Sequence, residues 1–292
     1  MNVWQDIADQ ISARTGRPFR PKQPDSLGGG CINAAFRLSD GVETWFVKTN
    51  GGGALDMFEA EAAGLDALAA SATIRVPHVL CTGDADGFSY IVMQHLDLGG
   101  AGKTGWGKAG QQLAAMHHCS ARGFGWDRDN TIGATPQQNA WQPDWVSFWR
   151  QQRLGFQLEL AARNGHGGRL QSLGERLLGC FPVLIDHDPR PSLLHGDLWS
   201  GNLGFTRQGE PAIYDPAVYY GDREAELAMT ELFGGFSADF YAAYREAWPI
   251  DSGYRVRRDL YNLYHVLNHL NLFGGGYGAQ AERMMQGLLA EC

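Results

Sequence analysis

His195-Gly196-Asp197-Leu198-Trp199-Ser200-Gly201-Asn202, followed by Tyr214-Asp215-Pro216, is the stretch whose residue types and spacing could move a phosphoryl group. That chemistry needs an acceptor hydroxyl in line with the γ-phosphate, and metal ions that neutralise charge on the phosphates. A kinase catalytic loop supplies a base Asp and, five positions later, an Asn that holds one Mg²⁺; a further Asp after the next strand holds the metals bridging the phosphates. Asp197 and Asn202 have that spacing, and Asp215 follows the strand-like Ala212-Ile213-Tyr214. Any one of them could be an ordinary turn or cap residue. Their joint spacing makes Asp197 the expected base, and Asn202 and Asp215 the expected Mg²⁺ ligands.

A second set would hold ATP. Gly28-Gly29-Gly30-Cys31-Ile32-Asn33 leads into a hairpin instead of a helix. It is therefore not a dinucleotide-binding turn, which joins strand to helix, but a loop of the kind that covers ATP phosphates with backbone amides. Lys48 ends the strand-like Thr44-Trp45-Phe46-Val47, where a kinase lysine would meet the α- and β-phosphates. At 100° per residue, Glu61 falls inside the apolar stripe of Met57, Phe58, Leu65 and Leu68, whereas Glu59 lies on the far side with Asp66. A carboxylate on a buried face needs a cation, so Glu61 is the expected partner of Lys48. Met93-Gln94-His95-Leu96 completes the expected nucleotide-binding set. Gly102-Lys103-Thr104 imitates the end of a P-loop, but Asp97 occupies the place of its first glycine; the segment reads as a mobile inter-lobe linker.

These residues have to be positioned by a recognisable order of elements. Trp4, Ile7, Ala8 and Ile11 predict a short amphipathic helix. Phe36-Arg37-Leu38 and Thr44 to Val47 flank Asp40-Gly41, a hairpin signal. Helical spacing returns over 55–70, two strands follow near 79–80 and 89–93, and the remainder reads as mainly helical with short strand-like pieces near 183–220. The expected fold is α+β and two-lobed: a small antiparallel sheet with one inserted helix over residues 1–95 as the ATP-binding lobe, and a larger, mainly helical catalytic and substrate-binding lobe over 96–292.

The chain has 292 residues, is 44% hydrophobic and 19% charged, and carries a formal charge of -8. The acidic balance argues against nucleic acid as a partner. With no stretch near the roughly 20 apolar residues of a membrane span and no basic, apolar leader, a cytoplasmic protein is expected. Five scattered cysteines suggest neither a disulfide framework nor a zinc site. His117, His118, His265 and His269 sit in helical patterns and read as structural histidines.

With these residues in place the chain resembles the fructosamine kinase (ketosamine-3-kinase) family, within the aminoglycoside-phosphotransferase-like, protein-kinase-like superfamily. The resemblance runs nearly end to end. It includes the loop at 28–33, Val47-Lys48 with Phe58 to Glu61, Phe124-Gly125-Trp126, Thr135-Pro136-Gln137-Gln138-Asn139, Trp141 and Trp145. It continues through His195 to Asn202 and Gly221-Asp222-Arg223-Glu224 to the 268–275 run. The Asp–Asn–Asp set is common to the superfamily, whereas Trp199, the Thr-Pro-Gln segment and Gly-Asp-Arg-Glu are more specific.

The resemblance implies ATP- and Mg²⁺-dependent phosphorylation of the 3-hydroxyl of fructosamines or ribulosamines, on a small ketosamine or on a glycated amine such as a protein lysine. Phosphate on C3 beside an enolisable C2 carbonyl can be eliminated, releasing the amine, so the activity would be one of deglycation. Trp199, where protein kinases usually carry lysine, would give a sugar ring an apolar face, with His195 beside it as a substrate residue. Cys31, in the phosphate loop, is a candidate redox switch, so the protein is expected as a monomer or a redox-linked dimer. Two other readings compete. One is a kinase of another small hydroxyl compound, of aminoglycoside, choline or homoserine type. The other is a catalytically silent scaffold, against which stands the presence of Lys48, Glu61, Asp197, Asn202 and Asp215 together.

Overall fold

The apolar spacing at the N-terminus forms helix α1 (Val3–Thr15). Its Ile7 and Ile11 are fully buried in a cluster with Phe19, Val47 and Val92. The computed structural model describes residues 3–28 and 32–292. Behind α1 stands an antiparallel sheet of β1 (Asp25–Leu27), β2 (Ala34–Ser39), β3 (Thr44–Gly51), β4 (Val79–Ala85) and β5 (Phe88–Gln94), in the order β1-β2-β3-β5-β4. The Asp40-Gly41 turn joins β2 to β3. Asp40 Oδ1 accepts from the amides of Val42 and Glu43 at 2.8 and 2.7 Å, the local bonding by which an aspartate closes a tight turn. Helix α2 (Leu55–Ala70) lies between β3 and β4 in sequence. It buries Phe58 and Leu65 with Ile91 and Met93 of β5.

The chain divides into two compact units, one built from residues up to Gly105 together with Gly204–Pro216, the other from 106–203 and 217–292. The first unit is thus not one contiguous stretch. Leu98–Gly99 forms strand β6 and pairs with Phe205 and Thr206 of β10 (Leu203–Thr206), and β11 (Pro211–Ile213) completes a second sheet in the order β11-β10-β6. Part of the glycine-rich linker expected from sequence is therefore a strand. A further tie is the amide of Ile213, which donates to the carbonyl of Arg75 at 2.9 Å.

The second unit begins with α3 (Gly105–His117). Its short strands are β7 (Asn130–Ile132), β8 (Thr135–Gln137), β9 (Ser192–Leu194) and β12 (Tyr219–Gly221). Its other helices are α4 (Trp145–Trp149), continuing through a π-helical turn at Arg150–Gly155 into α5 (Phe156–Arg163), then α6 (Arg169–Leu184), α7 (Arg223–Leu232), α8 (Ala238–Ala247), α9 (Tyr254–Phe273) and α10 (Tyr277–Ala290). Trp145, Phe148, Trp149, Phe181, Leu263 and Leu267 fill one core. Helix α9 is buried on nearly every side, as expected of a central helix. None of the described helices is long and apolar enough to cross a membrane.

One expectation about the cysteines is corrected. Cys180 on α6 and Cys292, 112 residues apart, form a disulfide with their Cα atoms 6.2 Å apart. The pairing depends on α10 packing against α6, which no local spacing reveals.

Candidate active site

Lys48 is 6% exposed, and a buried ammonium requires compensation. It receives two carboxylates. Nζ lies 2.7 Å from Glu61 Oε1 and 2.5 Å from Asp215 Oδ1. Burial opposes the charge on Lys48, but the fields of Glu61 and Asp215 and their hydrogen bonds outweigh it and hold the amine well above its usual range. Burial, aided by the charge of Asp215, pushes the Glu61 carboxyl up against the pull of Lys48. Glu61 thus contributes a fixed anchor, and Glu59 is on the exposed face of α2. Asp215 is partly open to solvent, with its side chain 44% exposed. Its φ of +60° lies in the left-handed region, uncommon for a residue with a side chain but tolerated by aspartate. The arrangement is a lysine held rigid by one carboxylate and an outward-facing second carboxylate beside it.

In the second unit, β9 delivers His195 and the loop that follows. Gly196 has φ +85°, and a Cβ built on it would stand 2.0 Å from the carbonyl oxygen of Ala217, so only glycine fits. The Ala217 amide in turn donates to the carbonyl of His195 at 2.8 Å. Asn202, 5% exposed, donates through Nδ2 to the Asp197 carbonyl at 2.8 Å and to Asp197 Oδ2 at 3.2 Å. The backbone closes the loop further: the Trp199 amide donates to the Asp197 carbonyl, and the Asn202 amide to that of Trp199. Asn202 therefore fixes the orientation of the expected base. The side-chain oxygen of Asn202 and the carboxylate of Asp215 are hard donors of the kind Mg²⁺ takes.

Trp199 stands out of the loop, 39% exposed, with its ring centroid 6.4 Å from that of Phe233. Gly201 makes room for it, since a Cβ there would meet Trp199 Cζ2 at 2.3 Å. His195 is 0% exposed, and its Nδ1 accepts from the Asp197 amide at 3.3 Å, so it braces the loop.

Of the glycine-rich loop, Gly28, Ile32 and Asn33 are described. Asn33 Oδ1 accepts from Asn50 Nδ2 at 2.7 Å, tying the end of the loop to β3. Gly29, Gly30 and Cys31, and with Cys31 the redox proposal, lie outside the described residues. Met93 is buried under α2, and the Gln94 amide donates to the His78 carbonyl at 2.7 Å. His95 and Leu96 are half-buried. Burial, with Arg37, depresses the His95 pKa against Asp97.

Glu226 and Arg153 were not singled out by sequence reasoning, and Gln137 entered it only as part of the family resemblance. Glu226, 2% exposed, accepts from the amides of His195 and Gly196 at 3.2 and 2.7 Å. Gln137, of the Thr-Pro-Gln segment, donates to the Ala217 carbonyl at 3.0 Å and accepts from the Tyr264 hydroxyl at 2.8 Å. Arg153, on the π-helical turn, is fully buried and donates to the Gln138 carbonyl and Asn139 Oδ1 at 2.5 and 2.7 Å. Its guanidinium carbon lies 4.2 Å from the Tyr219 ring centroid. A carboxylate three residues into a helix, or an arginine among aromatics, has no sequence signature that distinguishes it from a surface charge.

The model of the fructosamine kinase family matches residues 3–291. The chain belongs to the fructosamine kinase family. A Synechocystis protein described as a probable ketoamine kinase is 50% identical over 97% of this chain and 96% of its own length. The chloroplastic protein-ribulosamine 3-kinase of Arabidopsis thaliana is 45% identical over 88% of this chain and 79% of that protein. Among solved structures, a Haemophilus somnus protein provisionally designated fructosamine-3-kinase superposes with a TM-score of 0.90 at 29% identity, covering 98% of this chain and 97% of that one. A thermostable mutant of the aminoglycoside phosphotransferase APH(4)-Ia, in a ternary complex with ADP and hygromycin B, superposes with a TM-score of 0.65 at 16% identity over 98% of both chains. That last likeness is one of fold, the two-lobed kinase-like α+β architecture.

Proposed function

We propose that this protein is an ATP-dependent kinase that phosphorylates the 3-hydroxyl of ketosamines, fructosamines or ribulosamines, and so starts the release of the glycated amine. Family membership supports the reaction. The observation that carries the substrate reading is Trp199, an exposed indole two residues beyond Asp197. An indole there offers an apolar wall to a sugar ring at the distance of one loop turn from the base.

In this reading Asp197 accepts the proton of the C3 hydroxyl as its oxygen bonds to the γ-phosphorus and the bond from phosphorus to the ADP oxygen breaks. Asn202 holds Asp197 to that hydroxyl. Lys48, kept cationic and stationary by Glu61, pairs with the α- and β-phosphates, while the backbone of residues 28–33 and the 93–96 segment hold the rest of the nucleotide. Asn202 and Asp215 would hold Mg²⁺, which when bound neutralises charge on the phosphates. A phosphate on C3 beside the C2 carbonyl is then a good leaving group, and its elimination frees the amine. The acceptor is a small ketosamine or a glycated lysine of a protein, and the setting is cytoplasmic.

The test is turnover across a panel. Ribulose-lysine and fructose-lysine should consume ATP, with free amine appearing later, and choline and aminoglycosides should be poor acceptors. Faster phosphorylation of choline or an aminoglycoside than of every ketosamine would overturn the substrate reading. Asp197→Ala should lower kcat by about 10²-fold or more, the scale of general base catalysis, with ATP binding largely intact. Near-normal turnover would remove Asp197 from the role of base.

A further inference from the structure

The Gly221-Asp222-Arg223-Glu224 run has no part in the reaction proposed above, yet Asp222 and Glu224 are each only 2% exposed. Buried carboxylates need cations. Glu224 has Arg257, but that guanidinium is divided, since it also binds Asp186 and Asp251. Arg223 turns to the Tyr244 hydroxyl and to the carbonyls of Trp248 and Pro249. Among the described residues, Asp222 has only His187 as an ion-pair partner, with Nε2 at 2.8 Å from Oδ2. Four carboxylates thus gather around one arginine and one imidazole, a surplus of negative charge. His187 Nε2 and one oxygen each of Asp222 and Glu224 lie within 4.8 Å of one another. The three residues line a cleft of about 410 Å³ together with Ser192, which is 1% exposed. Ser192 stands opposite Gly221 in the β9–β12 pair, beside Asp222. Its Oγ has no hydrogen-bond partner, nor has His187 Nδ1, and buried polar atoms are seldom left so.

We propose that His187, Asp222 and Glu224 bind one divalent transition-metal ion of the zinc type, with Ser192 holding the ion's remaining water. One imidazole nitrogen and two carboxylates are an N,O set that zinc takes, whereas Mg²⁺ and Ca²⁺ prefer oxygen alone. Two ligand atoms that are each about 2.0–2.2 Å from one ion stand about 3 Å apart. The His187–Asp222 pair is already close to that separation. In the metal-free chain a proton sits between the two. On binding, the ring proton moves from Nε2 to Nδ1, and the freed Nε2 lone pair goes to the ion. Both carboxylates keep lone pairs for it beside their present bonds. The two added positive charges offset the surplus. Three protein ligands leave a coordination place for water, and that water donates to Ser192 Oγ. The ion would tie the segment entering β9 to the start of α7. None of these residues belongs to the nucleotide or acceptor set, so the site stands independently of the substrate reading.

The experiment titrates Zn²⁺ by calorimetry into the chelator-stripped, full-length protein, with Mg²⁺ in a parallel arm. The variants are His187→Ala, Ser192→Ala and Cys119→Ser, the last because Cys119 is a free thiol whose carbonyl bonds to β9 at Leu193 and thiols compete for zinc. Wild type and Cys119→Ser should take up one equivalent of Zn²⁺ that Mg²⁺ does not displace. Ser192→Ala should weaken binding by about 10-fold, the scale for a residue that touches only the ion's surroundings, and His187→Ala by more than about 100-fold. Zn²⁺ at about 100 times its Kd should raise the wild-type Tm by about 5 °C and leave His187→Ala unmoved. No saturable uptake, uptake undiminished in His187→Ala or lost in Cys119→Ser, or displacement of Zn²⁺ by Mg²⁺ would each overturn the proposal. Full affinity in Ser192→Ala would overturn the part given to the serine. Should His187→Ala fail to fold, anomalous diffraction at the zinc edge from wild-type crystals decides. A peak between His187 Nε2 and the carboxylates of Asp222 and Glu224 supports the site, and peaks only elsewhere overturn it.

Discussion

Lys48 illustrates how one side chain is made useful by two unlike partners. Glu61 is buried and immobile, and Asp215 is half open, so the lysine has one permanent ion pair and one that a phosphate could replace. Asp215→Ala should abolish the thermal shift produced by Mg²⁺–ATP while leaving the apo protein folded, because Glu61 still compensates Lys48. A preserved nucleotide shift would remove Asp215 from the metal-binding set. Trp199 makes a different kind of contribution, since its exposed ring is held by packing and has no charge to lose. Trp199→Ala should raise KM for a ketosamine by about 10-fold or more with KM for ATP unchanged, the signature of lost acceptor binding. Equal shifts in both KM values would show that the loop as a whole had moved.

At the scale of elements, the Gly-Asp-Arg-Glu run proves to be a joint between helices. Asp222 caps α7 through the Glu224 amide at 3.0 Å and also accepts from the Tyr261 hydroxyl and from His187 Nε2, at 2.5 and 2.8 Å. Glu224 receives the fully buried Arg257 of α9 through two hydrogen bonds, of 2.6 and 3.0 Å. Arg257 also binds Asp186 and Asp251. Arg257→Ala should lower stability by about 3–5 kcal/mol, the cost of stranding a buried carboxylate, visible as a Tm fall of about 10 °C. Two histidines on this scaffold titrate in opposite senses. Burial works against the charged form of His187, but its hydrogen bond to Asp222 and the charge of Asp222 raise its pKa. The stability it contributes is complete below its unfolded pKa of about 6.5 and disappears as pH rises through the raised folded value. His265 of α9 is pushed down to about 3 by burial, with the charges of His269 and Arg153 adding to it. The unfolded chain then binds a proton that the folded one refuses, so stability falls as pH drops from about 6.5 towards 3, by up to about 1.4 kcal/mol per pH unit. Tm measured against pH should show both limbs. His265→Phe should flatten the acid limb and His187→Gln the alkaline one.

For the molecule as a whole, the Cys180–Cys292 disulfide fastens the last residue to α6 across 112 positions of sequence. A cross-link closing so long a loop restricts the unfolded chain, and removing one typically costs about 2–5 kcal/mol. Cys292→Ser, or wild type in dithiothreitol, should therefore melt lower than the oxidised protein while kcat stays the same, since the bond lies outside the kinase machinery. An unchanged Tm on reduction would show that α10 docks on α6 by packing alone.

Much of this protein follows from local sequence. The amphipathic spacing of α1, the Asp40-Gly41 hairpin and the full extent of α2 are fixed by interactions within a few residues, so they are legible from the chain alone. The choice of Glu61 over Glu59 for Lys48 was readable for the same reason, because helical periodicity decides which face is buried. The Asp197–Asn202 spacing was legible because the loop that carries it is short and its bonds are internal. What the sequence could not disclose depends on residues far apart along it. The return of 204–216 to the first unit rests on its pairing with Leu98 and Gly99, the Ile213–Arg75 hydrogen bond and the Lys48–Asp215 ion pair. The burial of His195 depends on the elements around β9, and the grip of Glu226 on the His195 and Gly196 amides requires α7 to meet the loop. Hydrogen bonds of that kind act over about 3 Å in space whatever the separation along the chain. Only the folded chain brings their partners together.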